Sequence, residues 1–311
     1  MSHVIIISSF SLSVILLIIF QNFFIKKNKI ASINSRSSHK SIATNSGGLA
    51  IFSTIFIISS FLYLQNIEIY DYKILVPLGL ITLIGLYDDI YDIDYKLKLM
   101  FQIITAKIII DQGFIISNLH GFLGILELSN ILSQILSIFI IVAIINSINF
   151  IDGIDGLALA VISFFILCFE FFSSSFFFFN DLSIIIICAS LPLWYFNYRK
   201  EKKIFLGDAG SLFFGGVVSI YTISILSSDY LIIQEYDINK IIFVISILLY
   251  PIIDIVRVFF LRLSKGISPF IADKNHIHHY LLKKLKKHFL VVITIISFNI
   301  IFLIATQILF N

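Results

Sequence analysis

Asp88, Asp89, Asp92 and Asp94 stand within seven positions, and the first two directly follow the apolar run that ends in Leu86-Tyr87. Adjacent carboxylates against an apolar stretch are costly unless cations or a metal pair with them. Lys96 and Lys98 follow at once. Hard oxygen donors in such a setting suit Mg²⁺, which takes one or two carboxylates plus substrate phosphates. An N-cap would account for one of the aspartates but not for four.

Four further segments concentrate polar groups in the same way. Arg36-Ser-Ser-His39-Lys40, followed by Gly47-Gly48, suits an anionic ligand, because Arg and Lys supply charge-assisted donors; on its own it reads more readily as a basic membrane anchor. Asn146, Asn149 and Asp152 recur every three residues, which puts them on one face of a helix end, and Gly153, Asp155 and Gly156 follow. Asn197 and a basic run to Lys203 precede Phe205-Leu206-Gly207-Asp208-Ala209-Gly210-Ser211, a turn that can offer backbone N–H groups and a carboxylate together. The last segment runs from Asp254 and Arg257, spaced as an i, i+3 ion pair, through Arg262 to His276, His278 and His279. Three histidines in four positions would suit zinc, but no cysteine accompanies them, and with Lys and Arg they also suit phosphate.

The elements that must carry these segments are membrane spans. Hydrophobic residues make up 59% of the 311 and charged residues only 13%, with a mean hydropathy of +1.01. A soluble domain carries roughly a quarter charged residues, so soluble, disordered, coiled-coil and disulfide-scaffold classes are excluded. Cys168 and Cys188 lie in apolar runs and read as buried thiols. The pattern predicts an all-α polytopic membrane protein, a single domain over 1–311, with about ten transmembrane helices at 3–25, 47–65, 73–87, 97–112, 131–149, 157–172, 181–197, 209–227, 239–261 and 288–310. Glycines at 113, 121 and 124 punctuate short apolar runs, so a small extracytoplasmic β-hairpin is expected over 113–128.

Nineteen of the 22 lysines and arginines fall at one side of these spans, leaving only Lys73, Lys107 and Lys240 elsewhere. By the positive-inside rule that side is cytoplasmic and both termini face out. The basic cluster at Lys26, Lys27 and Lys29 follows the first span, which reads as a retained helix. All five polar segments then sit at the cytoplasmic face.

The order of these segments resembles the polyprenyl-phosphate N-acetylhexosamine-1-phosphate transferases, membrane enzymes of glycosyltransferase family 4. The likeness runs from Arg36 to His279. The Arg36-Ser-Ser-His39 and His276-Ile-His278-His279 stretches are similar to the branch that initiates O-antigen and capsule synthesis. The alternative, the phospho-MurNAc-pentapeptide transferase branch of peptidoglycan synthesis, has a different histidine motif. The family often carries Pro-Thr-Pro-x-Gly-Gly where this chain reads Ala43-Thr44-Asn45-Ser46-Gly47-Gly48.

The resemblance implies a bacterial cytoplasmic-membrane enzyme. It would transfer HexNAc-1-phosphate from a UDP-N-acetylhexosamine (UDP-GlcNAc or a 6-deoxy-HexNAc donor) to undecaprenyl phosphate and release UMP. It implies Mg²⁺, with Mn²⁺ as substitute, held by Asp208 with the amide oxygen of Asn149 as a second ligand. Asp88, Asp89, Asp208 and His279 would be catalytic. Asn146, Asp152, Asp155, Asn197, Phe205, Arg262, His276 and His278 would bind the nucleotide sugar, with Phe205 stacking on uracil. His39, Lys96 and Lys98 would hold the lipid phosphate. A homodimer is compatible and a nucleic-acid partner is not expected. Two other classes compete: a transporter, whose site would sit near the bilayer midplane rather than at one face, and an inactive scaffold, which would not need Asp88-Asp89 or Gly207-Asp208.

Overall fold

The computed structural model describes residues 2–30, 42–119, 121–172, 179–227, 239–266 and 275–310. Twelve α-helices stand among them: α1 Ser2–Lys26, α2 Gly47–Leu64, α3 Leu75–Tyr91, α4 Tyr95–Asp111, α5 Asn130–Ile151, α6 Leu157–Phe172, α7 Asn180–Tyr198, α8 Gly207–Ser227, α9 Asn239–Ile247, α10 Leu249–Ser264, α11 Ile277–Leu285 and α12 His288–Phe310. Among the described residues, seven helical segments are long and apolar enough to cross a membrane, and the pair α9 and α10 passes the same test as one broken span. The protein is therefore an all-α, multi-pass membrane protein. Side chains such as Phe171, Ile301 and Leu309, which are 80, 66 and 75% exposed, are what a bilayer covers. Several hydroxyls inside the spans bond back into their own helix, as Thr54 does to the Ala50 carbonyl and Thr82 to that of Leu78.

The chain divides into two compact units. The first holds residues 1–105 and 176–214. In it α1 packs on α7 and α2, and α2 packs on α7 and α3. Two short strands, β1 (Ala43–Thr44) and β2 (Lys203–Ile204), pair in parallel, which brings the segment before α2 beside the segment before α8. The second unit holds residues 106–175 and 215–311. There α12 packs on α9, α6, α11 and α10, and α10 packs on α5.

Three features differ from the sequence expectation. The span expected over 239–261 is two helices bent by 77° at Leu248. Pro251, in the first turn of α10, has no N–H for the Ile247 carbonyl and its ring excludes the straight path. The span expected to end at Tyr87 runs on to Tyr91, so Asp88 and Asp89 are helical rather than in a loop. It stops where Asp92 takes a left-handed φ of 54° and its N–H closes on the Asp88 carbonyl at 2.9 Å. The amphipathic helix α11 was not expected. In the stretch 113–128, Asn118 and Glu127 form an isolated antiparallel bridge, and Gly113 and Gly121 have φ of 96° and 82°.

Candidate active site

In the first unit, Asp88, Asp89, Lys98 and Asp208 assemble where α3 ends and α8 begins. Asp88 accepts from the Ile93 backbone N–H at 2.9 Å and from Lys98 Nζ at 2.8 Å. Lys98 also lies 3.2 Å from Asp208 Oδ1. The Asp88 and Lys98 side chains are 9 and 14% exposed and that of Asp208 is 33% exposed. One ammonium thus offsets the repulsion of two carboxylates contributed by two different segments.

Asp89 turns to a different partner. Its carboxylate accepts from the backbone N–H groups of Asp208 at 3.0 Å and Ala209 at 2.9 Å, and from Asn45 Nδ2 at 2.8 Å. These N–H groups open α8 and have no helical acceptor of their own. The two adjacent aspartates, both expected to be catalytic, therefore diverge: Asp88 faces Lys98 while Asp89 caps α8. The turn before α8 admits this fit because Gly207 has φ of 73° and a Cβ there would lie 2.8 Å from Asp89 Oδ2. On the opposite side a Cβ at Gly48 would fall on the backbone of Gly210, so α2 and α8 touch main chain to main chain. The Gly47 and Gly48 N–H groups donate to the carbonyls of Phe205 and Leu206 at 3.0 and 2.8 Å, which locks that contact.

Of the other first-unit candidates, Phe205 is partly exposed, with Lys203 Nζ 6.0 Å from its ring centre. Asn197, expected to bind the nucleotide sugar, lies in the last turn of α7 at 4% exposure, and its Nδ2 donates to the Ile204 carbonyl at 3.0 Å. Its amide ties α7 to β2. Lys96 is exposed. His39 lies outside the described residues, as do Arg36, Lys40 and Asp273.

The second unit gathers the histidine segment. His276 Nδ1 is 2.6 Å from Asp254 Oδ2, and Asp254 Oδ1 accepts from the Ile277 N–H at 2.8 Å. Arg257 lies 3.3 Å from Asp254 Oδ1, the ion pair the spacing suggested, and its guanidinium also donates to the Asn275 carbonyl. His278 Nδ1 meets the Tyr250 hydroxyl at 2.7 Å, and His276 and His278 stack with ring centres 5.4 Å apart. Burial, then His279 and His276, pushes the His278 imidazole down to about 3 from its ordinary 6.5, so this ring is neutral. His279 packs 4.3 Å from it, centre to centre. Arg262 is 3% exposed, with its guanidinium 5.9 Å from the Phe150 ring. Asn146 Nδ2 bonds back to the Val142 carbonyl, and Asp152 and Asp155 sit in the turns between α5 and α6. Asp155 is held by His288, whose Nδ1 is 3.1 Å from Asp155 Oδ2.

Asn45, Tyr250 and His288 take part without having been expected. Asn45 stands where the family often has proline, the one hint available; Tyr250 and His288 gave none. Asp208 belongs to the first unit and Asn149 to the second. Hard oxygen donors at Asp88 and Asp208 suit Mg²⁺. Among the described residues no three His, Cys, Asp or Glu side chains form a ready cage. An ion of this kind, held by one or two carboxylates and completed by substrate phosphates, fits that donor set.

The model of the family described as glycosyl transferase family 4 matches residues 72–226, the stretch that carries Asp88, Asp89, Asn149 and Asp208. Among similar proteins, the undecaprenyl-phosphate alpha-N-acetylglucosaminyl 1-phosphate transferase of Salmonella typhi is 29% identical over 302 residues, covering 89% of this chain and 75% of its own. The enzyme of the same name from Haemophilus influenzae is 32% identical over 262 residues, covering 80% and 70%. The decaprenyl-phosphate N-acetylglucosaminephosphotransferase of Mycolicibacterium smegmatis is 28% identical over 283 residues, covering 83% and 70%. With two carboxylates and a lysine gathered at the start of α8 and this likeness along most of the chain, the protein belongs to glycosyl transferase family 4, as a transferase of the polyprenyl-phosphate N-acetylhexosamine-1-phosphate type.

Proposed function

We propose that the chain transfers N-acetylhexosamine 1-phosphate from a UDP-sugar, UDP-GlcNAc or a 6-deoxy relative, to undecaprenyl phosphate, releasing UMP and initiating a cell-surface polysaccharide. The observation that carries this reading is Lys98 held between Asp88 and Asp208. A phosphate attacking a diphosphate brings like charges together, so catalysis is mainly charge neutralisation and alignment. A lysine flanked by carboxylates at a membrane-span end suits a lipid phosphate on one side and a metal-bound diphosphate on the other.

The lipid phosphate oxygen attacks the β-phosphorus, the bond from that phosphorus to the α–β bridging oxygen breaks, and UMP leaves. Asp88 orients the nucleophile. The phosphate needs little help from a base, because a second phosphate pKa near 6 leaves it mostly dianionic at neutral pH. Asp208 would hold Mg²⁺ or Mn²⁺, with Asn149 as the expected second ligand. When bound, the ion would neutralise the diphosphate and stabilise departing UMP. We assign Asp89 a positioning role, since two of its three bonds go to the N–H groups that open α8 and the third comes from the Asn45 amide. Lys96 and His39 serve the lipid phosphate, and Phe205 stacks on uracil. The second-unit residues Arg262, His276, His278 and His279 hold the diphosphate or sugar, and Asn146, Asp152 and Asp155 serve the nucleotide.

The same reading makes the protein one transferase domain with ten spans in a bacterial cytoplasmic membrane, its site on the cytoplasmic face and both termini outside. The seven long helices, the bent pair and the apolar 16-residue helix α6 supply nine of these spans, and the 17-residue α4 would be the tenth. The bridge at Asn118 and Glu127 supports an extracytoplasmic hairpin. A homodimer is consistent with it.

The test is a donor panel. Purified protein with undecaprenyl phosphate and Mg²⁺ is offered UDP-GlcNAc, UDP-GalNAc and 6-deoxy-HexNAc donors, each labelled in the sugar. At least one should yield labelled lipid. No lipid label from any donor would overturn the proposal.

A further inference from the structure

One face of α10 grips the histidine segment, and the grip has a chemical consequence. Tyr250, Asp254 and Arg257 are spaced i, i+4, i+7, so they share that face. Tyr250 meets His278, Asp254 meets His276 and the Ile277 N–H, and Arg257 meets the Asn275 carbonyl. Both histidines are held through Nδ1, so both turn Nε2 toward whatever they bind.

Hydrogen-bond accounting fixes the His278 proton. The Tyr250 hydroxyl has the His278 ring as its hydrogen-bond partner among the described residues. Were Nδ1 to carry the proton, the buried tyrosine proton would be left without an acceptor and Nε2 without a donor. With O–H donating to Nδ1, the proton resides on Nε2 and only that one group is open. His278 is 0% exposed, and its Nε2 has no partner among the described residues. It lies beside Gly153, where a Cβ would come within 2.9 Å of it. An unpartnered donor in a fully buried ring next to a bare backbone is a place for a ligand acceptor. The Asp254 carboxylate does the complementary thing for His276, placing the proton on Nδ1.

We infer that Tyr250 and Asp254 are positioning residues that fix the tautomers of His278 and His276, so that His278 Nε2–H donates to a phosphate or sugar oxygen of the nucleotide-sugar. This rests on the function proposed above for the segment, and it assigns residues that make no substrate contact themselves. Tyr250→Phe keeps the ring and removes only the hydroxyl, which frees His278 to exchange tautomers and lose its aimed donor.

The experiment is a double-mutant cycle on purified full-length protein with UDP-GlcNAc, together with ¹⁵N spectra of histidine-labelled protein. Tyr250→Phe should raise the KM for UDP-GlcNAc about tenfold, equivalent to ~1.4 kcal/mol, and leave kcat and the lipid KM within twofold. His278→Gln places an amide donor at the Nε2 position without needing the tyrosine, so adding Tyr250→Phe to it should change KM less than twofold. In the spectra, one of the seven histidines should be a fixed Nε2–H tautomer in the wild type and a mixture in Tyr250→Phe. A tenfold effect that persists in the His278→Gln background, or an unchanged tautomer in Tyr250→Phe, overturns the inference. If Tyr250→Phe does not fold, Asp254→Asn gives the parallel reading on the His276 tautomer, and an unchanged ring there overturns it too. A wild type that ignores UDP-GlcNAc would count against the proposed function, while the tautomer shift still decides the positioning role.

Discussion

Replacing Asp89 by asparagine separates structural from chemical work at the α3–α8 junction. The carboxylate accepts from two α8 N–H groups at 3.0 and 2.9 Å and from Asn45 at 2.8 Å. An asparagine keeps one acceptor oxygen and turns an NH₂ toward a backbone donor, so one charge-assisted bond is lost and one N–H is left unsatisfied. A bond to a charged group contributes about 1.5–3 kcal/mol. The lost negative charge at a helix N-terminus adds roughly 0.3–1 kcal/mol. The sum is about 2–4 kcal/mol, which at roughly 2–4 °C per kcal/mol lowers Tm by about 5–15 °C. Asn45→Ala, which removes the third donor to the same carboxylate, should cost about 1.5–3 kcal/mol and leave turnover in place. The assay is thermal unfolding of detergent-purified protein, read beside lipid-product formation at a temperature where both variants are folded. Asp89→Asn with an unchanged Tm and abolished turnover would refute the capping argument and return Asp89 to the chemistry.

Lys98→Met leaves Asp88 and Asp208 without their shared cation. The loss should be roughly 1–3 kcal/mol, below the 3–5 of a fully buried pair because Asp208 is one-third exposed, and the KM for undecaprenyl phosphate should rise with it; an unchanged lipid KM and kcat would exclude Lys98 from the site. His278 sets a pH window: its folded imidazole is pushed down to about 3 from 6.5, so between those values the unfolded chain binds the proton first. Stability from this group is complete above pH 6.5 and falls as pH drops, by at most about 1.4 kcal/mol per unit. Melts at pH 7.5, 6 and 5 should show the decline, and His278→Gln, still facing His276, His279, Asp254 and Arg257, should flatten it; equal slopes in both proteins would argue against a neutral buried ring. A reporter fused after Asn311 should read outside and one inserted at Lys202 should read cytoplasmic, following the nineteen-to-three partition of basic residues; a cytoplasmic C-terminus would require a different number of spans.

Much of the helical frame was legible because apolar length is nearly the whole signal in a bilayer. The boundaries of α6 and α12 stand where the run of apolar residues begins and ends. What eluded the sequence depends on contacts between distant segments. Nothing near Asp89 says that its partners are the N–H groups of residues 119 and 120 positions away. The paired Asp88 and Asp89 looked like one unit because they are adjacent. A helix turns about 100° per residue, and once α3 continued through them they had to face different neighbours. The break at Leu248 was readable in Pro251 alone. Tyr250 was not readable, because a tyrosine in an apolar run ordinarily signals packing, and only the His278 ring beside it gives its hydroxyl a purpose.

The central claim is phosphoryl transfer from a nucleotide sugar to a lipid phosphate, and the position of a radiolabel tests it directly. Purified protein, undecaprenyl phosphate and Mg²⁺ are incubated in parallel with UDP-GlcNAc, or the donor the panel selects, carrying ³²P at either the α or the β position. The account predicts that β-label moves into the lipid phase while α-label stays in water as UMP, and that Asp208→Asn stops both. A β-label that remains in water as UDP, or a lipid product indifferent to Asp208→Asn, would contradict it.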